Sequence, residues 1–219
     1  MNIKKSKEIE LINLNTWEYS STISQKNNNT NLFKNKYAVF VNRVGPNRKT
    51  PDEHINKTVS AETGEKWYPS LNNFFSYLEK VFNLKVIIAS HPKSNEEGHL
   101  SYLGNRVSVL NKTEELIKGS EFVIGRNSTA LSFAVIYKKP ILFIYSNETK
   151  ENISRFNEIN NFSNYFKTKS VNIDEGINDK EIKSLINFDE KLYENYMEDF
   201  LTSNSKNKNY KIILENLNK

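Results

Sequence analysis

Four short runs, Tyr37–Val41, Leu84–Ser90, Glu121–Gly125 and Pro140–Tyr145, are apolar at nearly every position instead of every second one. An alternating strand can leave one face in water. A strand that does not alternate must be covered on both sides, which is the habit of a parallel sheet between two helical layers. The segments between the runs supply those layers. Leu71, Phe74, Phe75, Leu78, Val81 and Phe82 recur at helical spacing, with Pro69 placed to occupy a first turn. Thr113 can cap a helix that reaches Lys118 and that Gly119 stops, and Thr129–Lys138 predicts another. Arg106–Leu110 reads as a further strand and Ser170–Ile173 as a short edge strand. The expected fold is therefore α/β, a Rossmann-like parallel sheet with helices on both faces, followed by a helical C-terminal tail.

Composition divides the 219 residues into three stretches. Residues 1–36 are polar, rich in Asn and Lys, and read as an N-terminal linker or extension; residues 37–146 carry the strand and helix rhythm. Residues 147–219 hold amphipathic helical patterns, Ile153, Phe156, Ile159 and Phe162 among them, which are expected to pack on the sheet. The absence of cysteine excludes a disulfide framework, a zinc site of thiolates and a cysteine nucleophile. Three scattered histidines without clustered carboxylates give no metal-ligand spacing, and neither a G-x-G-x-x-G nor a Walker loop is present. The longest apolar stretches are far below the roughly 20 residues needed to span a bilayer. No apolar signal-peptide core follows the basic start, so the expected location is cytoplasmic, with membrane association peripheral at most. The 31 basic against 26 acidic side chains leave a net charge of +5, but the lysines are scattered, and no nucleic-acid partner is expected.

In an open parallel sheet, ligands bind outside the carboxyl ends of the strands. The residues that follow the strands here are Asn42 and Arg43, then His91, Pro92 and Lys93, then Arg126, Asn127, Ser128 and Thr129. If the strands run parallel, Arg43, His91, Lys93 and Arg126 share one rim, and such a rim suits an anion. Gly125-Arg-Asn-Ser-Thr129 would turn a strand into a helix capped by Asn127 or Ser128, offering backbone N–H groups and a forked guanidinium to a phosphate. The plainer reading makes Ser128 an ordinary cap and Arg126 a solvated side chain. Pro92 forces His91 into an extended conformation, fixing its direction at the strand end, where it can donate to a phosphate or protonate a leaving group. Asp52, beside Glu53 and His54, is a candidate general base; the plainer reading of this loop is a solvated acidic face. His54 and His99 are expected in loops at the surface.

Val86-Ile-Ile-Ala-Ser-His-Pro-Lys93, Lys112-Thr-Glu-Glu-Leu-Ile117, Ser120-Glu-Phe-Val-Ile-Gly-Arg-Asn-Ser-Thr129 and Lys138-Lys-Pro-Ile-Leu-Phe143 stand in this order along the chain. Together they resemble the C-terminal, nucleotide-sugar-binding domain of bacterial GT-B glycosyltransferases of surface polysaccharide synthesis, a group that includes capsule sialyltransferases, Kdo transferases and CDP-glycerol polymerases. The resemblance covers about half the chain and implies a nucleotide-activated sugar of the CMP or CDP type, a glycan acceptor, and no metal or other cofactor. It implies phosphate-binding roles for His91, Ser128 and Thr129, and it brings Glu114 of the second motif into the binding set. His91 and Asp52 are then the catalytic candidates. Arg126 stands where many relatives carry other residues. The stretch before the first strand is too short for an acceptor-side domain, so the expectation is a single GT-B half, completed by a second half or partner subunit or binding without turnover. Two other functions compete: a relative of the UDP-N-acetylglucosamine 2-epimerases, which needs a pair of carboxylates facing the sugar, and a non-catalytic Rossmann-like interaction module.

Overall fold

The structure, a computed structural model, describes residues 12–23, 32–43, 46, 62–94, 96–203 and 207–217. Seven strands form the sheet: β1 Tyr37–Val41, β2 Lys85–Ser90, β3 Gly98–Leu100, β4 Arg106–Leu110, β5 Val123–Gly125, β6 Ile141–Tyr145 and β7 Val171–Asn172, in the spatial order β3-β4-β2-β1-β5-β6-β7. Every pairing is parallel except that of β3 with β4. The fold is α/β and Rossmann-like, as the unbroken apolar runs require.

Side-chain alternation along each strand feeds two separate cores. Ala38 and Phe40 of β1, with Val86 and Ile88 of β2, face helix α2 (Gly64–Phe82). Tyr37, Val39 and Val41, with Ile87 and Ala89, face the other side. That side is covered by α3 (Thr113–Gly119), α4 (Ser132–Ile136), α6 (Ile153–Tyr165) and α8 (Glu190–Tyr196); α5 (Asn147–Glu151) precedes α6. On the α2 side, α7 (Asp179–Leu185) contributes the buried Ile182. Along α2 the buried residues are Trp67, Leu71, Phe74, Phe75 and Leu78, an i, i+4, i+7, i+8 and i+11 stripe. Burial of each such side chain stabilises by about 1.5–3 kcal/mol. Asn83, in the left-handed region at φ 49°, closes this helix by donating its N–H to the Glu79 carbonyl.

Lys112, not Thr113, is the N-cap of α3, and the helix runs through Gly119; three elements differ from the expectation in placement. Helix α2 begins at Gly64, five residues before Pro69, which therefore lies inside the helix and not in its first turn. The early start is held from outside, because Glu148 accepts from the Thr63 N–H at 2.8 Å and from its hydroxyl. His99 sits on β3 and not in a loop, with its Nδ1 2.9 Å from the Asn105 carbonyl. Within the polar N-terminal stretch, Trp17–Ile23 forms helix α1. It is preceded by Asn15, which is 4% exposed and hydrogen-bonded to Asn209 at the start of α9 (Asn209–Leu217).

No helix among the described residues is long and apolar enough to cross a membrane. At the end of β5, a Cβ on Gly125 would lie 2.6 Å from a methyl of Leu131, which is itself fully buried. Gly125→Ala is expected to cost about 1–3 kcal/mol in chemical denaturation through overpacking.

Candidate functional site

From β1 the chain builds outward to β2 and β4 on one side, then returns to place β5 against the other edge of β1. The direction of winding reverses between β1 and β5, and the crevice of such a sheet lies outside the carboxyl ends there. Asn42, 8% exposed, prolongs β1 by donating its N–H to the Ala89 carbonyl at 3.0 Å, which fixes the direction in which Arg43 leaves the sheet. After β2, Pro92 opens a 3-10 turn, Pro92–Ser94. Both the N–H and the hydroxyl of Ser94 donate to the His91 carbonyl, at 2.9 and 2.7 Å. After β5, Ser128 accepts from the Ala130 N–H at 3.3 Å and caps a 3-10 turn, Thr129–Leu131, that leads into α4. Of the two cap candidates the structure selects Ser128; the Asn127 amide N–H donates to Glu158.

These three loops enclose a cavity of about 240 Å³. Val41 lines it together with Arg43, His91, Arg126, Asn127 and Ser128, and Arg155 from the first turn of α6 completes it. Five of the residues singled out from sequence at strand ends, Arg43, His91, Arg126, Asn127 and Ser128, thus meet in one place. Lys93 and Pro92 stand beside the cavity without lining it. Thr129 lines the neighbouring cleft. Glu114 lies elsewhere: on α3 its carboxylate accepts from the Tyr137 hydroxyl at 2.6 Å and from Ser21 at 3.4 Å. Asp52 lies outside the described residues.

The electrostatics are less one-sided than a bare cationic rim. Arg126 donates from Nη1 to Glu62 Oε1 at 2.5 Å, with side-chain exposures of 15% and 7%, and its guanidinium lies 4.7 Å from the centre of the Trp67 ring. Glu62 also accepts from the Thr149 hydroxyl at 2.7 Å. Arg155 pairs with Glu158 at 3.3 Å. Arg126 and Arg155 therefore arrive with carboxylate partners, so what they offer an anion is directed N–H donors more than unbalanced charge. Glu62, Trp67, Arg155 and Glu158 were not marked by the sequence, since each lies in a loop or helix far from any strand end.

Burial, and then the positive charges of Lys93 and Arg43, hold the His91 pKa below its ordinary value. Its Nδ1 accepts from the Lys93 backbone N–H at 3.1 Å. A neutral imidazole that accepts at Nδ1 carries its proton at Nε2, so His91 is a neutral hydrogen-bond donor there. A histidine with a lowered folded pKa contributes stability that is complete above its ordinary value of 6.5 and is lost as pH falls through the folded value. Between about pH 7 and pH 5 the wild type should therefore lose more stability than His91→Gln, read by denaturant midpoints.

A larger cavity, about 560 Å³, opens at the amino ends of β1, β2 and β4, lined in part by Tyr37, Asn72, Glu79, Lys85 and Arg106. Size alone does not make it the better site. Arg106 spends all five N–H donors inside the fold: Nε and Nη2 on Glu79, Nη1 on Asn72 and the Leu103 carbonyl, and Nη2 also on Ser76. That network ties α2 to the sheet and leaves this guanidinium no donor for a ligand. No cluster of His, Asp or Glu that could hold a metal ion occurs among the described residues. Compared with family models, curated proteins and solved structures, the chain gives no match.

Proposed function

We propose that the crevice between β1 and β5 binds the phosphate of a nucleotide-activated sugar, of the CMP or CDP type, and that the chain serves as a glycosyltransferase-like donor domain in bacterial surface polysaccharide synthesis. The observation that carries this reading is the meeting of Arg43, His91, Arg126, Ser128 and Arg155 at the point where the sheet reverses its winding. The roles follow from the chemistry of each group. Arg43, Arg126 and Arg155 offer N–H donors to phosphate oxygens, His91 donates from Nε2, and Ser128 supplies a hydroxyl. In a transfer step the bond from the sugar carbon to the phosphate oxygen breaks, the acceptor hydroxyl oxygen bonds to that carbon and gives up its proton to solvent, and negative charge gathers on the departing phosphate. Donors already aimed at that position stabilise the charge without having to reorganise. On the same reading the protein works in the cytoplasm and without a metal.

Calorimetry with CMP, CDP and UDP tests the proposal. Saturable binding that weakens by at least about tenfold in Arg43→Ala supports it, tenfold being 1.4 kcal/mol of lost charge-assisted hydrogen bonding. Absence of binding at about millimolar concentration, the range where only some 4 kcal/mol is required, contradicts it.

A further inference from the structure

Beside the phosphate crevice, and sharing Asn127 and Ser128 with it, lies a second cleft of about 470 Å³. Its walls come from the start of α1, the turn before α4, α6, the end of α8 and the π-helical turn Met197–Leu201. Their chemistry is unlike that of the crevice. No guanidinium or ammonium group lines the cleft among the described residues; two carboxylates do, Glu18 and Glu158. Hydroxyls of Thr16, Thr129 and Ser132 join them. The apolar wall is aromatic: Phe162 stacks on Tyr196 at 5.7 Å, and Tyr196 lies 5.0 Å from Phe200, which is 55% exposed. Burial, and to a lesser degree the nearby Glu18 carboxylate, push the Tyr196 hydroxyl above its ordinary pKa.

The boundary between the two regions is drawn by a short chain of bonds. Arg155 faces the crevice and donates to Glu158, while Asn127 reaches Glu158 from the β5 side. Across Asn127 and Ser128 the crevice with its arginines therefore gives directly onto carboxylates and aromatic rings.

We infer that this cleft receives the group attached to the phosphate, and that the group is a hydroxyl-bearing ring without a carboxylate of its own, neutral or carrying an amine. The inference rests on the phosphate reading above and goes beyond it by fixing the charge of what the phosphate carries. Carboxylates and hydroxyls accept from ring hydroxyls, and the aromatic wall covers the apolar face of the ring. An amine gains further from Glu18, Glu158 and the aromatic faces. A carboxylate in the same place meets the Glu18 carboxylate, with no cation lining the cleft among the described residues, and is rejected. Among donors that the sequence resemblance admits, those whose sugar bears a carboxylate are thereby disfavoured.

Calorimetry with four probes tests this: inorganic phosphate, glucose 1-phosphate, glucosamine 1-phosphate and glucuronic acid 1-phosphate. Glucose and glucosamine 1-phosphate should bind more tightly than inorganic phosphate, and glucuronic acid 1-phosphate about tenfold more weakly than glucose 1-phosphate. Glu18→Gln should narrow that gap to about threefold or less, with the affinity for inorganic phosphate unchanged. If glucuronic acid 1-phosphate binds as well as glucose 1-phosphate, or if neither sugar improves on inorganic phosphate, the inference is overturned and the phosphate site stands. If none of the four binds while CMP does, the inference is overturned and the phosphate reading stands; if CMP fails as well, both readings fall.

Discussion

Arg126→Met is expected to lower the unfolding free energy by about 3–5 kcal/mol, the usual consequence of removing one partner of a buried ion pair. Glu62, 7% exposed at its side chain, loses its guanidinium partner and keeps the Thr149 hydroxyl, and Trp67 loses the guanidinium lying over its ring. The double variant Glu62→Gln/Arg126→Met should recover more than half of that loss, because the uncompensated charge is gone. Denaturant unfolding of both variants reads the effect. A single variant within about 1 kcal/mol of wild type, the size of a surface pair, would mean that the ion pair does not hold the loop before α2 against the rim. The pair matters beyond stability. It fixes Arg126 at the crevice, so the same guanidinium closes the fold and presents its remaining donors.

The second large effect falls at the opposite, amino end of the strands. Arg106→Lys keeps the charge and loses the fork, and should cost about 2–4 kcal/mol by stranding buried acceptors. Glu79 would retain the Val86 N–H, but Asn72 Oδ1 and the Leu103 carbonyl would lose their Arg106 donor, and the contact of the guanidinium with the Phe75 ring, 5.3 Å to its centre, would go too. A lysine variant as stable as wild type would show that charge alone, not the five directed bonds, secures α2 to β4.

The strands that fill the centre of the sheet were legible because their chemistry is local. Tyr37–Val41 occupies the residues that its apolar run marks, Arg106–Leu110 is a strand at the positions read as one, and β7 falls within Ser170–Ile173. Gly98–Leu100 escaped because three residues around a histidine carry no period to detect; its pairing with β4 is set by the neighbour, not by its own pattern. Helix α1 was hidden for a different reason. Its anchor is Asn15, buried through hydrogen bonds to residues 192 to 194 positions away, and no local hydropathy reports such a contact. Pro69 misled in the ordinary direction: a proline prefers the first turn, and here the clamp of Glu148 on Thr63 outweighs that preference.

At the candidate site, Arg43, His91, Arg126 and Ser128 were legible because topology alone sends strand ends to one rim. The carboxylates that balance them were not. Glu62 meets Arg126 across 64 positions and Thr149 across 87, so its role appears only when three loops are in place. Arg155 lay in a tail whose amphipathic pattern explains its packing but says nothing of what its polar face approaches. Glu114 shows the reverse case, a residue brought in by resemblance whose carboxylate is engaged by Tyr137.

The claim on which the function rests is that His91 and its neighbours hold phosphate, and the imidazole itself can report it. In nitrogen-15 spectra of the side chains, with His91→Gln used to assign one of the three histidines, addition of CMP should shift Nε2 of His91 and move its titration midpoint upward, since a phosphate dianion favours the imidazolium. An Nε2 signal and a midpoint that both stay fixed while CMP saturates the protein would place the ligand elsewhere and contradict the account.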